Sequence, residues 1–361
     1  MRLCCNIVKY IICLQNNYLR QCCINVVLMT RRELIKKGGL VSLAMTLPMP
    51  LSSFIKFNHM IDRKDFEVII VGGSYAGLSA AMALGRSLRN VLIIDGGLPC
   101  NRQTPHAHNF ITHDGTKPSE ISAKAKAQVL QYNTVKFIED FTIDAKKINN
   151  SFLITTQSGK EFTAKKLIFA TGVRDIMPDI NGFSDAWGIT VIHCPYCHGY
   201  EFKGEKTGIM ANGERAFHLA SLVHNLTKDV TILTSGNADF SAEQLMKLKK
   251  HKIKIIESKV SQIEHDNGYI KNVVFEDSQK IPFVGVYAAI PFKQHSEIPM
   301  SLGCELTESE HIKVDVFQKT SIEGVFACGD NATMMRSISN AVQSGNMAGA
   351  MVNMELTQEQ F

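Results

Sequence analysis

Two cysteines with a histidine on either side stand near the middle of the chain, in His193-Cys194-Pro195-Tyr196-Cys197-His198-Gly199-Tyr200-Glu201. Thiols at this spacing can close a small, strained and reducible disulfide. The thiolate is the attacking species, and a neighbouring histidine lowers a thiol's pKa or carries its proton. The same letters serve three other chemistries: c-type haem attachment through Cys-x-x-Cys-His, zinc ligation, and two inert buried thiols. Zinc lacks a second pair of ligands at finger spacing, and thiol–disulfide exchange is the leading reading.

A redox pair needs elements that hold it against an electron carrier. Phe66 to Val71 is an apolar run that ends in Gly72-Gly73-Ser74-Tyr75-Ala76-Gly77. An Ala/Leu/Met-rich helical stretch follows to Leu88, then a second apolar run from Val91 to Ile94, ending at Asp95. Strand, glycine turn, helix, strand and acid is the order of a dinucleotide site. Glycines let the backbone approach a pyrophosphate, the helix N-terminus offers N–H groups, and the acid accepts from a ribose hydroxyl. Ser74 stands where the middle glycine of G-x-G-x-x-G would be.

The pattern recurs in weakened form. Gly208-Ile209-Met210 leads into Ala211-Asn212-Gly213-Glu214-Arg215-Ala216, with Val230 to Leu233 as the next strand. Asn212, Gly213, Arg215 and Ala216 are the candidate nicotinamide-site residues, although Glu214 opposes an anion there. The second strand ends in Thr234-Ser235-Gly236, which offers neither an acid for a ribose nor an arginine pair for a 2′-phosphate. Leu167 to Ala170 before Thr171-Gly172, and Gly324 to Cys328 before Gly329-Asp330, are two further strands ending in glycine turns. A helical segment is expected over Arg336 to Met354, and hairpin strands over Phe152 to Thr156 and Lys271 to Phe275.

With 45% hydrophobic and 20% charged residues among 361, the chain is neither disordered nor collagen-like, and its length suits about two domains. Residues 1–64 carry ten Lys/Arg against two Asp/Glu, and the remainder 29 against 32. The body therefore has no cationic excess with which to displace counterions from nucleic acid. No apolar run is long enough for a transmembrane helix. Arg31-Arg32 ahead of the nearly uncharged Gly38 to Leu51 resembles a twin-arginine export signal over 29–51, which implies a periplasmic protein; a cytoplasmic one with a basic extension is the alternative. His106, His108 and His113 are read as part of a loop rather than as metal ligands, and no metal is expected. Lys247 to Lys252 is read as a solvated helix face.

Taken together, VGGSYAGLSAA, CNRQTPHAHNF, ATGVRD, CPYCHGYE, TSIEGVFACGD and RSISNAVQSGNMAGA resemble, in order and spacing, the thioredoxin-reductase-like FAD-dependent pyridine nucleotide-disulfide oxidoreductases. The resemblance covers essentially all of 65–361. It implies an α/β chain of two nested Rossmann-like three-layer dinucleotide-binding domains. FAD would bind 65–174 with 290–361, and 175–289 would be a NAD(P)-binding-like insertion carrying the cysteines. By position, Gly72 to Gly77 would hold the FAD pyrophosphate and Asp95 the adenosine ribose. Arg102, Gln103 and Asn109, with Thr171 and Gly172, would line the cofactor. Gly329 and Asp330 would meet the ribityl end, and Arg336, Ser337 and Ile338 the flavin ring.

In the same reading Cys197 would face the flavin and Cys194 would meet the substrate, with His198 moving protons where true thioredoxin reductases carry an acid. Electrons would pass between NAD(P)H, FAD and the pair, in a homodimer acting on a dithiol or disulfide that is a small molecule or a thioredoxin-like protein. Cys-x-x-Cys-His-Gly-Tyr-Glu is closer to the family's small-molecule dithiol oxidases, which implies an oxygen-dependent alternative without NADPH. A flavin-binding redox sensor with little turnover is the rival from another class.

Overall fold

The computed structural model describes residues 64–361. The proposed export signal, including Arg31 and Arg32, lies outside the described residues. β1 (Lys64–Val71) turns into α1 (Tyr75–Arg86) and returns as β2 (Val91–Asp95). The expected helix stops two residues early, because Leu88 turns left-handed at φ 58°. α2 (Pro118–Val129), β3 (Val135–Glu139), β4 (Thr142–Ile148), β5 (Ser151–Thr156) and β6 (Glu161–Phe169) complete the first stretch.

The chain then leaves through β7 (Val173–Asp175) and continues with β8 (Val191–Ile192) and the single-turn helix α3 (Pro195–His198). β9 (Thr207–Met210), α4 (Gly213–Leu226), β10 (Val230–Leu233), α5 (Ala242–Lys250) and β11 (Lys254–Ile256) follow. The strands β12 (Val260–Asp266), β13 (Tyr269–Phe275), β14 (Lys280–Ile281) and β15 (Gly285–Ala288) come next. The return is through β16 (Phe292–Gln294), which pairs antiparallel with β7, to β17 (Val325–Ala327) and α6 (Ile338–Gln360). The last helix starts two residues later than expected because Ser337 caps it, accepting from the Asn340 amide at 3.2 Å.

The first sheet runs β3-β2-β1-β6-β5-β4, with β17 beside β6. Its β3, β2, β1, β6 and β17 are mutually parallel. The second sheet, β11-β10-β9-β15-β8, is parallel throughout. A mixed sheet with a parallel centre and antiparallel β5 and β4 at one edge, and a wholly parallel sheet nested within its connection, make the doubly wound α/β fold expected from the sequence. Residues 68–70 and 91–94 are at most 1% exposed, as strands covered on both faces must be, which is why they read as unbroken apolar runs.

α1 and α6 bring the two ends of the first unit together. Ala76, Ala80, Ala81 and Leu84 of α1 and Ala341, Ala348, Val352 and Leu356 of α6 are buried in one core. A Cβ on Gly345 would lie 2.1 Å from the Ala76 carbonyl oxygen, so this crossing tolerates no side chain there. Small residues let the helix backbones touch, and that contact sets the segment from Gly329 to Ser337 beside the glycine turn.

Candidate active site

The turn after β1 has the shape its glycines permit. Gly72 sits at φ +104°, where a Cβ would also meet the Ala170 carbonyl oxygen at 2.3 Å. A Cβ on Gly77 would lie 1.9 Å from the Gly72 oxygen. Gly73 donates its amide to Asp95 Oδ1 at 2.8 Å, so the acid at the end of β2 braces the turn. Ser74 caps α1 without a side-chain hydrogen bond, and the amides of Tyr75, Ala76 and Gly77 have no acceptor inside the helix. They form a row of donors at the positive end of a helix dipole, which suits a pyrophosphate. Gly77→Ala is therefore expected to cost about 3 kcal/mol through overpacking. Its denaturation midpoint should fall, and its FAD content, read from flavin absorbance, should drop well below one per chain.

The other expected cofactor residues have individual tasks. Gln103 Nε2 donates to the Ser184 carbonyl at 3.3 Å, while Arg102 is exposed and donates to the Pro99 carbonyl at 3.2 Å. Asn109, at φ 57°, donates its amide to Asp114 at 2.8 Å and accepts from Ser339 at 3.0 Å. Thr171 and Gly172 close β6; Asn331 Nδ2 donates to the Phe169 carbonyl at 2.9 Å and to Thr171 Oγ1 at 3.3 Å. Gly329 donates to Ser344 Oγ at 3.0 Å. Ile338 packs at the rim of the first core.

Arg336 is the electrostatic centre of this edge. It forms a bidentate pair with Asp175 at 2.7 and 3.1 Å, and its Nε lies 3.6 Å from Asp330 Oδ2. Burial raises the Asp330 pKa, with Arg336 opposing that shift. Asp175 also accepts from Trp187 Nε1 at 3.2 Å, and Trp187 stacks on His193 with centroids 6.0 Å apart. Asp175 lies in β7, so Arg336 fastens the strand leading to the cysteines onto the first unit. Asn340 Nδ2 and His193 Nε2 are buried without hydrogen-bond partners, and Arg336 Nε has only the Asp330 carboxylate at 3.6 Å. Orphaned polar atoms of this kind are costly in a finished interior. The heteroatom-rich edge of a flavin would satisfy them, and together with the helix-end donors they fit FAD.

Cys194 is the N-cap of α3, and Pro195 occupies the first helical turn, where a missing amide costs nothing. Both cysteines are half-buried free thiols. Hydrogen bonding from the Cys197 thiol lowers the Cys194 pKa to about 7, aided by the amides of Cys197 and Tyr196 and the charge of Arg336. The Cys197 pKa is driven upward by the same hydrogen bond and by burial. The two thiols are thus coupled: the first proton of the reduced pair leaves more easily and the second is held more tightly. Burial lowers the His198 pKa, and both its ring nitrogens are buried without a partner. A neutral imidazole with open nitrogens can receive a proton. A cavity of about 400 Å³ opens at His198, lined also by His106, His108, Glu201 and apolar residues including Ile189 and Phe283.

At the second turn, Asn212, Gly213, Arg215 and Ala216 stand at the start of α4, but their side chains face other tasks. Asn212 caps the helix, Ala216 is buried in the core, and Arg215 is exposed. Several site residues escaped sequence reasoning. Asp175 and Trp187 carry no motif chemistry of their own and matter only because Arg336 folds against them. Tyr287 presents a buried hydroxyl without a partner, and burial together with the nearby Cys194 raises its pKa. Its position within an apolar strand gave no signal.

This fold and site define a thioredoxin-reductase-like flavoprotein oxidoreductase. The chain belongs to the family described as pyridine nucleotide-disulphide oxidoreductase, which it matches over residues 66–345. It is 33% identical over 307 residues to a thioredoxin reductase of Claviceps purpurea, covering 80% of this chain and 94% of that one. A thioredoxin reductase of Leptosphaeria maculans is 31% identical over 308 residues, with 80% and 94% covered. Among solved structures, an oxidoreductase from Agrobacterium tumefaciens superposes with a TM-score of 0.77 at 36% identity, over 81% of this chain and 99% of that one. Family membership implies FAD. Among the described residues, no helix is long and apolar enough to cross a membrane.

Proposed function

We propose that this protein is an FAD-dependent thiol–disulfide oxidoreductase in which two electrons pass between a dithiol/disulfide substrate and the flavin through Cys194 and Cys197. The observation that carries this reading is the pair itself: one thiol lowered to about 7, held on a helix start that Asp175 and Arg336 tie to the first unit. When bound, FAD supplies a two-electron carrier on the Cys197 side. Gly72 to Gly77 and Asp95 would hold its nucleotide half, and Asp330 with Arg336, Ser337 and Ile338 its flavin half.

Cys194, as the thiolate, attacks a sulfur of a disulfide substrate, or in the reverse direction is the sulfur released as a dithiol closes. Cys197 resolves the mixed disulfide by closing the intramolecular one. His198 takes and returns the proton of the exchanging thiol, since its low pKa leaves it neutral and its nitrogens are open. The cavity beside it, about 400 Å³ with largely apolar walls, is lined by His198 and by neither cysteine, and would admit a small molecule next to that base.

The test is an anaerobic absorbance titration of the FAD-loaded protein with a dithiol such as dithiothreitol. Stoichiometric bleaching of the flavin is expected, and a flavin that stays oxidised would refute the relay. His198→Asn should slow bleaching about 100-fold at pH 7 and less at higher pH, because solvent base then removes the proton His198 would have taken. Stopped-flow rates across pH 6 to 9 read this directly.

A further inference from the structure

The second nucleotide turn is tied to the segment that follows β10. Asn212 Oδ1 accepts from its own neighbour Gly213 at 2.8 Å and from the Asp239 amide at 2.9 Å, while its Nδ2 donates to the Asn237 carbonyl at 2.8 Å. Every hydrogen-bonding group of that side chain is thus engaged with residues 213 to 239. The segment is pinned elsewhere as well. Thr234 Oγ1 donates to the Gly236 carbonyl at 2.6 Å, and the Ala238 amide donates to Glu257 at 2.6 Å. The strap lies close against the helix start: a Cβ on Gly213 would be 3.3 Å from the Asp239 carbonyl oxygen and 3.6 Å from its carboxylate.

The carboxylate of Asp239 therefore stands near the end of α4 where a pyrophosphate would sit in a working site. Glu214 adds a second negative charge in the first turn, held by Gln244 at 2.6 Å. Arg215, Glu214 and Asp239 are all exposed. In the first unit the bracing carboxylate, Asp95, comes from the end of the next strand and binds the Gly73 amide. A nicotinamide dinucleotide would have to displace Asn212, move Asp239 and accept two like charges beside its phosphates.

We infer that the nucleotide cleft of the inserted unit is sealed by its own 235–239 strap and takes neither NADPH nor NADH, so the flavin's second redox partner reaches it by another route. This inference is independent of the thiol relay, because its test involves no dithiol. Calorimetric titration of the FAD-loaded full chain with NADPH or NADH up to about 1 mM is expected to show no saturable heat. Hydrogen exchange of the 235–239 amides should be the same with and without nucleotide, and an oxidised flavin should not bleach with NADPH under anaerobic conditions. Saturable binding with a Kd below about 100 µM, or a changed exchange rate in the strap, would overturn the inference.

Discussion

Cys194→Ser protein is expected to bind FAD as the parent does, yet to lose dithiol-driven flavin bleaching by about 10⁴-fold. The size of the effect follows from chemistry that serine cannot perform: its oxygen neither ionises near neutral pH nor exchanges with sulfur. Cofactor retention follows from position, because Cys194 heads α3 in the inserted unit and no hydrogen bond of the glycine turn involves it. The companion Cys197→Ser separates the two thiols. It leaves Cys194 able to attack a disulfide probe but removes the resolving sulfur, so a stable mixed disulfide should accumulate at Cys194, visible by peptide mapping. In Cys197→Ala, which has no group to donate, the Cys194 thiol should also titrate higher than in the parent, since the hydrogen bond from Cys197 is the largest influence lowering it. A mixed disulfide resting on Cys197 instead, in Cys194→Ser, would reverse the two roles.

Arg336→Met should be the most damaging substitution away from the cysteines. It removes the bidentate partner of Asp175 and the cation beside Asp330, whose side chains are 8% and 16% exposed. Stripping one partner from a buried charge pair costs about 3–5 kcal/mol. The sign of the pH dependence can be worked out from Asp330. Burial already raises its pKa in the folded protein, so folding is favoured when it is protonated and that benefit is lost as pH rises through the raised value. Without Arg336 the value moves higher still, and the variant should be more destabilised at pH 8 than at pH 5.5. Thermal melts at the two pH values check this. Loss of the latch between α6 and β7 should also slow flavin bleaching by dithiol. A variant with parental stability and bleaching would show that Arg336 is not the fastening between the two units.

The glycine turn, both parallel units, the cysteine pair and family membership were legible in the residues alone. Each rests on a local rule: buried strands are apolar on both faces, left-handed turns favour glycine, and two thiols with two residues between them can pair. Helix ends were legible less well, because backbone conformation near Leu88 ends one helix and capping by Ser337 begins another, neither of which composition reveals. The second unit shows the limit more sharply. Its letters announce a nucleotide turn, and Asn212 and Gly213 do form one. Whether the turn is open depends on Asp239, 27 residues away, folding back onto it.

The electrostatic environment of the pair is the other part that only tertiary structure decided. Arg336, Asp175, Trp187 and Tyr287 come from separate elements, and each has an ordinary preference on its own. They become a site because small residues let α1 and α6 touch, which places Arg336 against the strand that leads to Cys194. Local sequence determined which chemistry this protein carries. Long-range packing determined how its charges are balanced and which residues fold back onto its second nucleotide turn, since Coulomb and hydrogen-bond energies depend on distances that no single stretch of sequence contains.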